Sequence, residues 1–353
     1  MSRSILIMAG GTGGHIFPAL AVANVLRSEG WHVTWLGAPN SMEAELVPKH
    51  GFEIAWVRFS GLRGNGVLRK LMLPFNLLIA LWQSAVAIFR YRPDVVLGMG
   101  GYITFPGGVV AALLRRPLVI HEQNSVAGLS NRALAKIAGR VLSGFPGVLK
   151  QAQMCGNPVR ESIAALAAPA QRYAERSGVL NILVVGGSLG AQALNECLPQ
   201  ALFCMPQEIE PKVIHQTGKK HFAEVQALYQ SAGIDAEVKP FLEDMAHYYG
   251  WADVVICRAG ALTIAELAAA GVASILIPYP HAVDDHQTGN AKYLSSKGAA
   301  ILLPQDELAP RRLAAILQDM TRERASIMAQ AARALAQPKA ANCVAQVCRE
   351  LAA

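Results

Sequence analysis

Two stretches of the chain repeat one pattern, in which a short apolar strand runs into a glycine-rich turn and then into a helix. The first copy reads SILIMAGGTGGHIFPALAVANVL from Ser4, and the second reads NILVVGGSLGAQALNECL from Asn181. Such a turn leaves backbone N–H groups at a helix N-terminus, where the helix dipole also favours negative charge. Each copy is a candidate phosphate site, and together they predict a cleft enzyme that acts on a phosphorylated substrate.

The length of 353 residues fits two domains of ordinary size, with the glycine turns at corresponding places in the two halves. Apolar strands alternate with helical patterns in both halves, which predicts two α/β domains with parallel sheets. Ligands of such sheets lie beyond the carboxyl ends of the strands, where both turns fall. The pattern breaks near Gly156, Asn157 and Pro158, and we place the hinge there.

Strands are predicted where short apolar runs are bounded by turn residues. In the first domain they are residues 4–9, 32–36, 53–57, 95–98, 118–122 and 140–143. In the second domain they are residues 181–185, 212–216, 236–240, 254–257, 274–278 and 300–303. Helices of the second domain are predicted to begin near residues 191, 221, 245, 262, 285 and 310, and a last helix follows Pro338.

Hydrophobic residues make up 52% of the chain and charged residues 16%, which predicts exposed apolar surface. The 32 Lys and Arg outnumber the 25 Asp and Glu, and this favours an anionic partner such as a nucleotide, a nucleic acid or an anionic lipid. The six cysteines form no CxxC pair and no zinc-type spacing, so we expect buried, reduced thiols in a cytoplasmic protein. The apolar run from Ile5 to Ala9 is too short for a signal-peptide core.

An uncharged stretch, LMLPFNLLIALWQSAVAIF at residues 71–89, reaches the lower limit for a membrane span, roughly 17 to 25 residues. Small and polar residues gather on one face of the helix it would form, namely Asn76, Ala80, Gln83, Ser84 and Ala87. A core helix, a helix at the membrane interface and a true span all stay open, with packing against the domain favoured. We also expect an exposed apolar patch ringed by cations that rests on anionic lipid, formed by Leu68, Arg69, Lys70, Leu73 and Phe75.

Neither glycine loop fits the dinucleotide fingerprint, because Ile16 stands at the third glycine position of the first and Ala191 at that of the second. His15 follows the first loop at a helix N-terminus, where the dipole disfavours the imidazolium and suits a neutral general base. A histidine hydrogen-bonded within the turn is the alternative, and spacing alone favours it.

Three further motifs place polar residues where strands end. CRAGALTIAELAAAG, from Cys257, puts Glu266 early in a helix, where it either complements the dipole or accepts hydrogen bonds from a ribose diol. PYPHAVDDHQTGNA, from Pro278, suits either a metal or, more simply, a polar loop from which Gln287 reaches a sugar hydroxyl. HEQNSVAG, from His121, puts Glu122 and Asn124 in the expected cleft, with Asn124 as a helix cap the alternative.

Eight motifs, in order and over nearly the whole chain, read GGTGGHIFPALAVA, GLRG, PDVVLGMGGY, HEQN, GNPVR, GGSLGA, RAGALTIAE and DDHQTGNA. They closely resemble the MurG family of bacterial glycosyltransferases, which convert lipid I to lipid II with UDP-N-acetylglucosamine. The resemblance implies the α/β GT-B architecture, two Rossmann-like parallel-sheet domains facing a deep cleft. It implies an acceptor and membrane-associating domain at residues 1–160, a UDP-sugar-binding domain at 161–337, and a helix at 338–353 that returns to the first domain.

The resemblance also implies where the donor diphosphate is held. Ser188 and the backbone at Ala261 and Leu262 would bind it, and Arg160 would help near the nucleotide. The following residues of the same helix are assigned to the donor site with them: Thr263, Ile264 and Ala265.

By the same resemblance, Phe241 and Leu242 would border the uracil, Glu266 would take the ribose hydroxyls, and Gln287 with Asn124 would recognise the N-acetylglucosamine. Three residues of the first glycine loop would line the cleft against the donor sugar and the acceptor diphosphate: Thr12, Gly13 and Gly14.

The implied reaction is attack by the muramyl 4-hydroxyl of lipid I on the anomeric carbon of the donor, with inversion and release of UDP. His15 is the candidate base and Glu122 a weaker one, while helix N-termini and Arg160 would offset the leaving charge. No cofactor and no metal are expected, in keeping with the lack of a DxD motif.

The expected partners are the donor, lipid I and membrane lipid on the cytoplasmic side of the bacterial inner membrane, with cell-wall and division proteins as further candidates and no nucleic acid. A UDP-sugar epimerase or a glycolipid synthase of the same fold would share the donor site. A noncatalytic sugar-nucleotide-binding subunit would tolerate loss of His15.

Overall fold

Two compact units, each with its own parallel sheet, make up the chain. The computed structural model describes residues 2–59, 72–187, 189–206 and 209–352. Unit 1 comprises Met1–Arg160 together with Gln337–Ala353, and unit 2 comprises Glu161–Ala336. All strand pairs in both sheets are parallel. The prediction of two α/β domains with parallel sheets is confirmed.

Unit 1 has a seven-stranded sheet covered by helices. Its strands are β1 (Ser4–Met8), β2 (His32–Gly37), β3 (Glu53–Trp56), β4 (Val95–Gly98), β5 (Leu118–Glu122), β6 (Arg140–Ser143) and β7 (Gln153–Met154). Its helices are α1 (Gly13–Ser28), α2 (Met42–Lys49), α3 (Leu73–Tyr91), α4 (Thr104–Leu113), α5 (Leu129–Leu134) and, at the end of the chain, α15 (Ala340–Leu351). The spatial order of the strands is β3-β2-β1-β4-β5-β6-β7.

The central strand β1 shows why such strands are apolar on both faces. Ile5 and Ile7 belong to a core shared with α1 and α15, whereas Leu6 and Met8 belong to a second core shared with α3 and α4. A strand buried on both faces has no solvent side, so its sequence is continuously apolar instead of alternating.

Unit 2 repeats this arrangement with six strands. Its strands are β8 (Asn181–Val185), β9 (Lys212–Gln216), β10 (Ala236–Lys239), β11 (Val254–Cys257), β12 (Ala273–Leu276) and β13 (Ala300–Leu302). Its helices are α6 (Glu161–Ala164), α7 (Pro169–Ala174), α8 (Gln192–Phe203), α9 (Phe222–Ala232), α10 (Met245–Trp251), α11 (Ala261–Ala270), α12 (His286–Ser295), α13 (Pro310–Gln318) and α14 (Arg322–Ala334). The strand order is β10-β9-β8-β11-β12-β13.

In both sheets the strand order reverses at the same point of the topology. The chain runs outward from β1 and from β8, then crosses to β4 and to β11 on their other side. In open parallel sheets the ligand crevice lies at this switch point, beyond the carboxyl ends of the strands. The glycine-rich turns after β1 and β8 lie there in both units.

Several elements of unit 2 were not predicted from the sequence. The region after Pro310 contains two helices, α13 and α14, because Thr321 begins the second one by accepting a hydrogen bond from the Arg324 N–H at 3.1 Å. The alanine-rich region after Arg160 forms the short helices α6 and α7. In unit 1 the edge strand β7 has two exposed residues, too few to show a periodic pattern.

The expectation of six buried, reduced thiols is wrong in two respects, because two cysteines form a disulfide and Cys204 is exposed. Cys155 and Cys343 form a disulfide with a Cα–Cα distance of 5.8 Å, linking the residue after β7 to α15. The other four are thiols, as expected. Burial raises the pKa of the Cys257 thiol, and that of Cys348, to about 12, so both stay protonated at neutral pH.

The apolar helix α3 packs with its small residues inward. Ala80 and Ser84 are fully buried, which confirms that the small and polar face packs against the domain. The large apolar side chains point outward, with Leu78, Trp82 and Phe89 each more than 60% exposed. By length and composition α3 is the one helix among the described residues that could span a membrane. The predicted patch residues Leu68, Arg69 and Lys70 lie outside the described residues.

A buried carboxylate stabilises unit 2 at the amino ends of its strands. Asp253 is fully buried and precedes β11. It pairs with Arg176 at 2.6 Å and with Arg322 at 3.2 Å, and it accepts a hydrogen bond from the Asn181 N–H at 2.9 Å. The carboxylate therefore connects α14 and the segment after α7 to two neighbouring strands.

We expect Asp253→Asn to lower the free energy of unfolding by about 3 kcal/mol, because two guanidinium groups lose their buried counter-charge. Urea unfolding measures the change. The exposed Asp235 supplies the control, and Asp235→Asn should change stability by less than about 0.5 kcal/mol. Equal stabilities of the two variants would contradict this role of Asp253.

Candidate active site

The glycine loop of unit 1 holds the ring of His15. Thr12 is the N-cap of α1, and the His15 ring follows one turn later. His15 Nδ1 lies 3.1 Å from the carbonyl oxygen of Gly10 and 3.3 Å from Thr12 Oγ1. A carbonyl oxygen only accepts hydrogen bonds, so Nδ1 carries the proton in that bond and Nε2 carries the lone pair of the neutral ring.

A second glycine turn packs directly on the first. Gly100 and Gly101, after β4, have φ angles of +93° and +89°, a region that favours glycine. A Cβ at Gly101 would collide with the Gly10 carbonyl oxygen, and one at Gly100 would lie 2.7 Å from Cδ2 of His15. The two turns thus fix the His15 ring between them, in the GGTGG and GMGGY motifs.

The carboxylate of Glu43, not identified from the sequence, lies beneath the first glycine loop. Glu43 projects from α2 and is fully buried. Its Oε2 accepts a hydrogen bond from the Gly11 N–H at 3.0 Å, and its Oε1 accepts one from the Ala38 N–H at 3.3 Å. One signal was available, since Glu43 occupies an inward position of an amphipathic helix where an apolar residue is usual.

Glu122 organises the HEQN loop. It is 3% exposed, and its two oxygens accept hydrogen bonds from the Asn124 N–H at 2.9 Å, the Gly128 N–H at 3.0 Å and Asn131 Nδ2 at 2.8 Å. Asn124 Nδ2 is a further donor at 3.3 Å. Both Glu122 oxygens are thus engaged by donors of its own loop, which indicates a structural role for this carboxylate.

Asn124 does not cap a helix, which removes the alternative reading of this motif. The N-cap of α5 is Gly128, and no side chain caps that helix. The Asn124 side chain instead donates to Glu122. Asn131 and Glu122 form the buried pair that the sequence did not reveal.

The GNPVR motif packs beneath HEQN within unit 1. His121 Nε2 lies 2.9 Å from the Gly156 carbonyl oxygen, and Asn157 Nδ2 donates to the Gln123 carbonyl oxygen at 2.9 Å. Gln123 is 1% exposed, and its Oε1 has no hydrogen-bond partner among the described residues. Arg160, which ends the motif, lies with its guanidinium 5.7 Å from the Phe17 ring of α1.

In unit 2 the corresponding features are the turn after β11 and the start of α11. Gly260 is the N-cap, and α11 begins at Ala261, one residue before the predicted start. Two side chains of α12 hold the preceding residue, Ala259: Gln287 Oε1 accepts its N–H at 3.2 Å, and Asn290 Nδ2 donates to its carbonyl oxygen at 3.1 Å. The sequence indicated Gln287 but not Asn290.

The amide of Gln287 has a fixed orientation. Its Oε1 also accepts the Tyr279 N–H, at 2.9 Å. Because two backbone donors face Oε1, the Nε2 group is directed to the other side and acts as a donor there. Gln287 is thus suited to recognise an oxygen acceptor such as a sugar hydroxyl.

Glu266 lies one turn into α11 and is 5% exposed, with the Tyr249 hydroxyl donating to its Oε2 at 3.3 Å. Among the other predicted donor residues, Phe241 is 47% exposed, whereas Leu242 and Ile264 are buried. The side chain of Ile264 packs into the core, so its backbone alone is available to a ligand. The remaining α11 residues assigned to the donor are partly buried: Leu262, Thr263 and Ala265.

Ser188 lies outside the described residues. The rest of its loop packs like the loop of unit 1, because Gly190 and Gly218 make close backbone contact and the Gly186 N–H donates to the Gln216 carbonyl oxygen at 3.1 Å. In the described part of the chain no three His, Cys, Asp or Glu side chains lie together as metal ligands would.

Comparison with known proteins identifies the class. The model of the glycosyltransferase family 28 N-terminal domain matches residues 5–143, and that of the C-terminal domain matches residues 181–347. These two domains and the two Rossmann-like sheets define a GT-B glycosyltransferase.

Individual relatives identify the family within this class. The chain is 61% identical over 352 residues to the UDP-N-acetylglucosamine–N-acetylmuramyl-(pentapeptide) pyrophosphoryl-undecaprenol N-acetylglucosamine transferase of Dechloromonas aromatica, covering 100% of both chains. It is 60% identical to the protein of the same name from Azoarcus sp., covering 99% of this chain and 98% of that one. The crystal structure of Acinetobacter baumannii MurG superposes with a TM-score of 0.86 at 42% identity, covering 99% of each chain. The chain belongs to the MurG family of glycosyltransferases.

The buried His121 makes the stability of unit 1 depend on pH. Burial lowers the pKa of His121 below its ordinary value of 6.5. The folded state therefore binds this proton less readily than the unfolded state, so stability is retained above about pH 6.5 and falls as the pH drops below it.

We expect His121→Gln to reduce this loss, because glutamine keeps one donor and one acceptor but takes up no proton. Urea unfolding between pH 8 and pH 5.5 gives the slope of the unfolding free energy against pH. His50→Gln, at an exposed position of the same unit, is the control and should keep the parent slope. An unchanged slope in His121→Gln would count against this explanation.

Proposed function

We propose that the protein transfers N-acetylglucosamine from UDP-N-acetylglucosamine to the muramyl 4-hydroxyl of lipid I, which gives lipid II and UDP. The observation that carries this proposal is the 60 to 61% identity, over essentially the full chain, to transferases named for that donor and acceptor. The His15 ring in the glycine loop of unit 1, whose Nδ1 faces the Gly10 carbonyl oxygen, supplies in its neutral form a group able to accept the hydroxyl proton.

Donor binding is assigned to unit 2. The backbone at the start of α11, together with Ser188, holds the diphosphate, because helix N-termini favour negative charge. Glu266 accepts the ribose hydroxyls, and Phe241 with Leu242 borders the uracil. The fixed amide of Gln287, whose oxygen already faces the Ala259 and Tyr279 N–H groups, supports its assignment as a donor to the sugar.

The rest of the donor and acceptor site is assigned to unit 1. Asn124 recognises the N-acetylglucosamine, and Arg160 offsets charge near the nucleotide. Three residues of the first glycine loop line the cleft against the donor sugar and the acceptor diphosphate: Thr12, Gly13 and Gly14. The Arg160 guanidinium lies 5.7 Å from the ring of Phe17, which is on the same helix as His15, and this contact supports the assignment of Arg160.

The reaction proceeds by in-line displacement. The 4-hydroxyl oxygen forms a bond to the anomeric carbon while the bond from that carbon to the β-phosphate oxygen breaks, and the bonding electrons leave with UDP. His15 Nε2 accepts the hydroxyl proton. Attack opposite the leaving group inverts an α-linked donor to a β-linked product.

Incubation with labelled UDP-N-acetylglucosamine, a lipid I analogue and a chelator tests the reaction, with the label followed into lipid. We expect transfer by the parent protein and a loss of kcat of at least about 100-fold in His15→Asn. Glu122→Gln tests the weaker base candidate. We expect this variant to lower the stability of the protein and to leave the pH dependence of kcat in place.

If UDP-N-acetylglucosamine binds but no label reaches the lipid, the acceptor assignment is wrong or the chain is a binding subunit. Full turnover by His15→Asn would overturn the assignment of the base alone. These two outcomes are distinguishable, because the first concerns the parent protein and the second concerns the variant.

We further propose that unit 1 rests peripherally on the cytoplasmic face of the inner membrane, through the outward face of α3. Large apolar side chains there point away from the core, and Arg90 and Arg92 are exposed at the C-terminal end of the helix. Apolar side chains enter the headgroup boundary while cations meet anionic lipid, which suits an acceptor anchored in that leaflet.

We expect the double variant Trp82→Ser and Phe89→Ser to bind anionic vesicles at least about tenfold more weakly in a sedimentation assay, because two exposed apolar side chains are lost. The matched control removes two equally exposed apolar side chains of unit 2, with Phe203→Ser and Ile327→Ser. Equal losses of binding in both double variants would argue against docking through α3.

A further inference from the structure

We infer that Glu43 is a positioning residue for His15 and acts through the single peptide group that joins Gly10 to Gly11. The inference rests on the proposed function, in which His15 accepts a proton. Glu43 does not touch the reacting atoms in this assignment. It orients the imidazole and stabilises the positive charge that the ring acquires.

The geometry of the connection is direct. The Gly11 N–H donates to Glu43 Oε2 at 3.0 Å, and the Gly10 carbonyl oxygen lies 3.1 Å from His15 Nδ1. This N–H and this carbonyl belong to one peptide bond, and in a trans peptide they point in opposite directions. The carboxylate, the peptide group and the imidazole therefore form one chain of hydrogen bonds.

Such a chain transmits charge. A hydrogen bond from the peptide N–H to a carboxylate polarises the peptide and makes its carbonyl oxygen a better acceptor, and burial strengthens the effect. Because Glu43 is fully buried, water does not screen it. When Nε2 takes up the hydroxyl proton, the Nδ1–H bond to the Gly10 oxygen strengthens and offsets part of the new positive charge.

The surrounding glycines make room for the carboxylate. A Cβ at Gly10 would lie 2.5 Å from Glu43 Oε1, and a Cβ at Gly37 would lie 3.2 Å from Glu43 Cγ. The hydrogen bond from the Ala38 N–H, after β2, fixes the carboxylate from the other side. Two neighbouring strand ends thus hold Glu43 in one position.

The equivalent loop of unit 2 is built differently. Gly186 and Gly187 correspond to Gly10 and Gly11, yet a Cβ at Gly186 would meet backbone atoms of Ala191 and Gln216 instead of a carboxylate. The buried carboxylate is therefore a feature that distinguishes the loop carrying His15 from the loop assigned to the donor phosphates. In unit 1 the Gly11 N–H already donates to Glu43, so this N–H is part of the chain of hydrogen bonds that leads to His15.

Other ionisable groups lie on the elements around the His15 loop. Tyr102 follows β4 and packs against Gly11, while Glu122 at the end of β5 accepts hydrogen bonds from its own loop, next to the neutral His121. Arg160 lies over Phe17 on α1. On α15, Arg349 pairs with Glu29 at the far end of α1. Among these groups, Glu43 is the one hydrogen-bonded to the peptide that holds the ring.

The charge is tested by Glu43→Gln, which keeps the size of the side chain and an oxygen able to accept the Gly11 N–H. We expect kcat to fall about tenfold or more, the KM for UDP-N-acetylglucosamine to stay unchanged, and the acidic limb of the kcat–pH profile to move to lower pH. The sign follows because a less stabilised imidazolium loses its proton at lower pH. Glu45→Gln, at an exposed position of the same helix, is the matched control and should leave all three unchanged.

A purely structural role would lower the thermal midpoint of Glu43→Gln and leave the acidic limb in place, and that result would overturn the inference. Nitrogen NMR of the histidine rings in the parent protein gives a second test that needs no variant and no activity. We expect His15 to carry its proton on Nδ1 when neutral, and finding it on Nε2 would also overturn the inference. Absence of transfer in the parent with the Nδ1–H form intact would count against the proposed function alone.

Discussion

Close contact between glycine turns at the carboxyl ends of the parallel strands is the constraint on which both units depend. In unit 1 the Gly100–Gly101 turn lies against the Gly10 carbonyl, and in unit 2 Gly218 lies against Gly190. No side chain fits in either contact. The backbone of one turn therefore supports the next turn. The candidate site residues are held by backbone carbonyl and N–H groups at the switch point of each sheet.

The same constraint explains what the sequence could predict. Apolar strands such as β1 and β8 are followed directly by glycine-rich turns, so their existence and type follow from the local pattern. Residues 261–266 and Gln287 stood out because they lie in motifs that begin where strands end. Ser188 and the GLRG motif lie outside the described residues and stay predictions, as do the assigned roles of the other site residues.

What the sequence could not predict depends on contacts between distant segments. The position of Glu43 on the inward side of α2 hints at burial, but only the fold shows that its carboxylate meets the Gly11 N–H. Asn131 lies on a helix that carries no motif, and Asn290 lies within DDHQTGNA but gave no sign in the sequence that it bonds to Ala259. The pairing of Cys155 with Cys343 spans 188 residues, and no spacing rule reaches that far.

This disulfide has a topological consequence. The whole of unit 2, Glu161–Ala336, lies in the loop that the bond closes, while both of its sulfur atoms belong to unit 1. Unit 2 is thus an insertion between two covalently joined ends of one domain. While the bond is intact, unit 2 can unravel and refold without detaching α15 from the sheet of unit 1, because the entropy of bringing that distant segment back has already been removed. The bond therefore keeps the two ends of unit 1 joined, although the chain between them passes through the whole of unit 2.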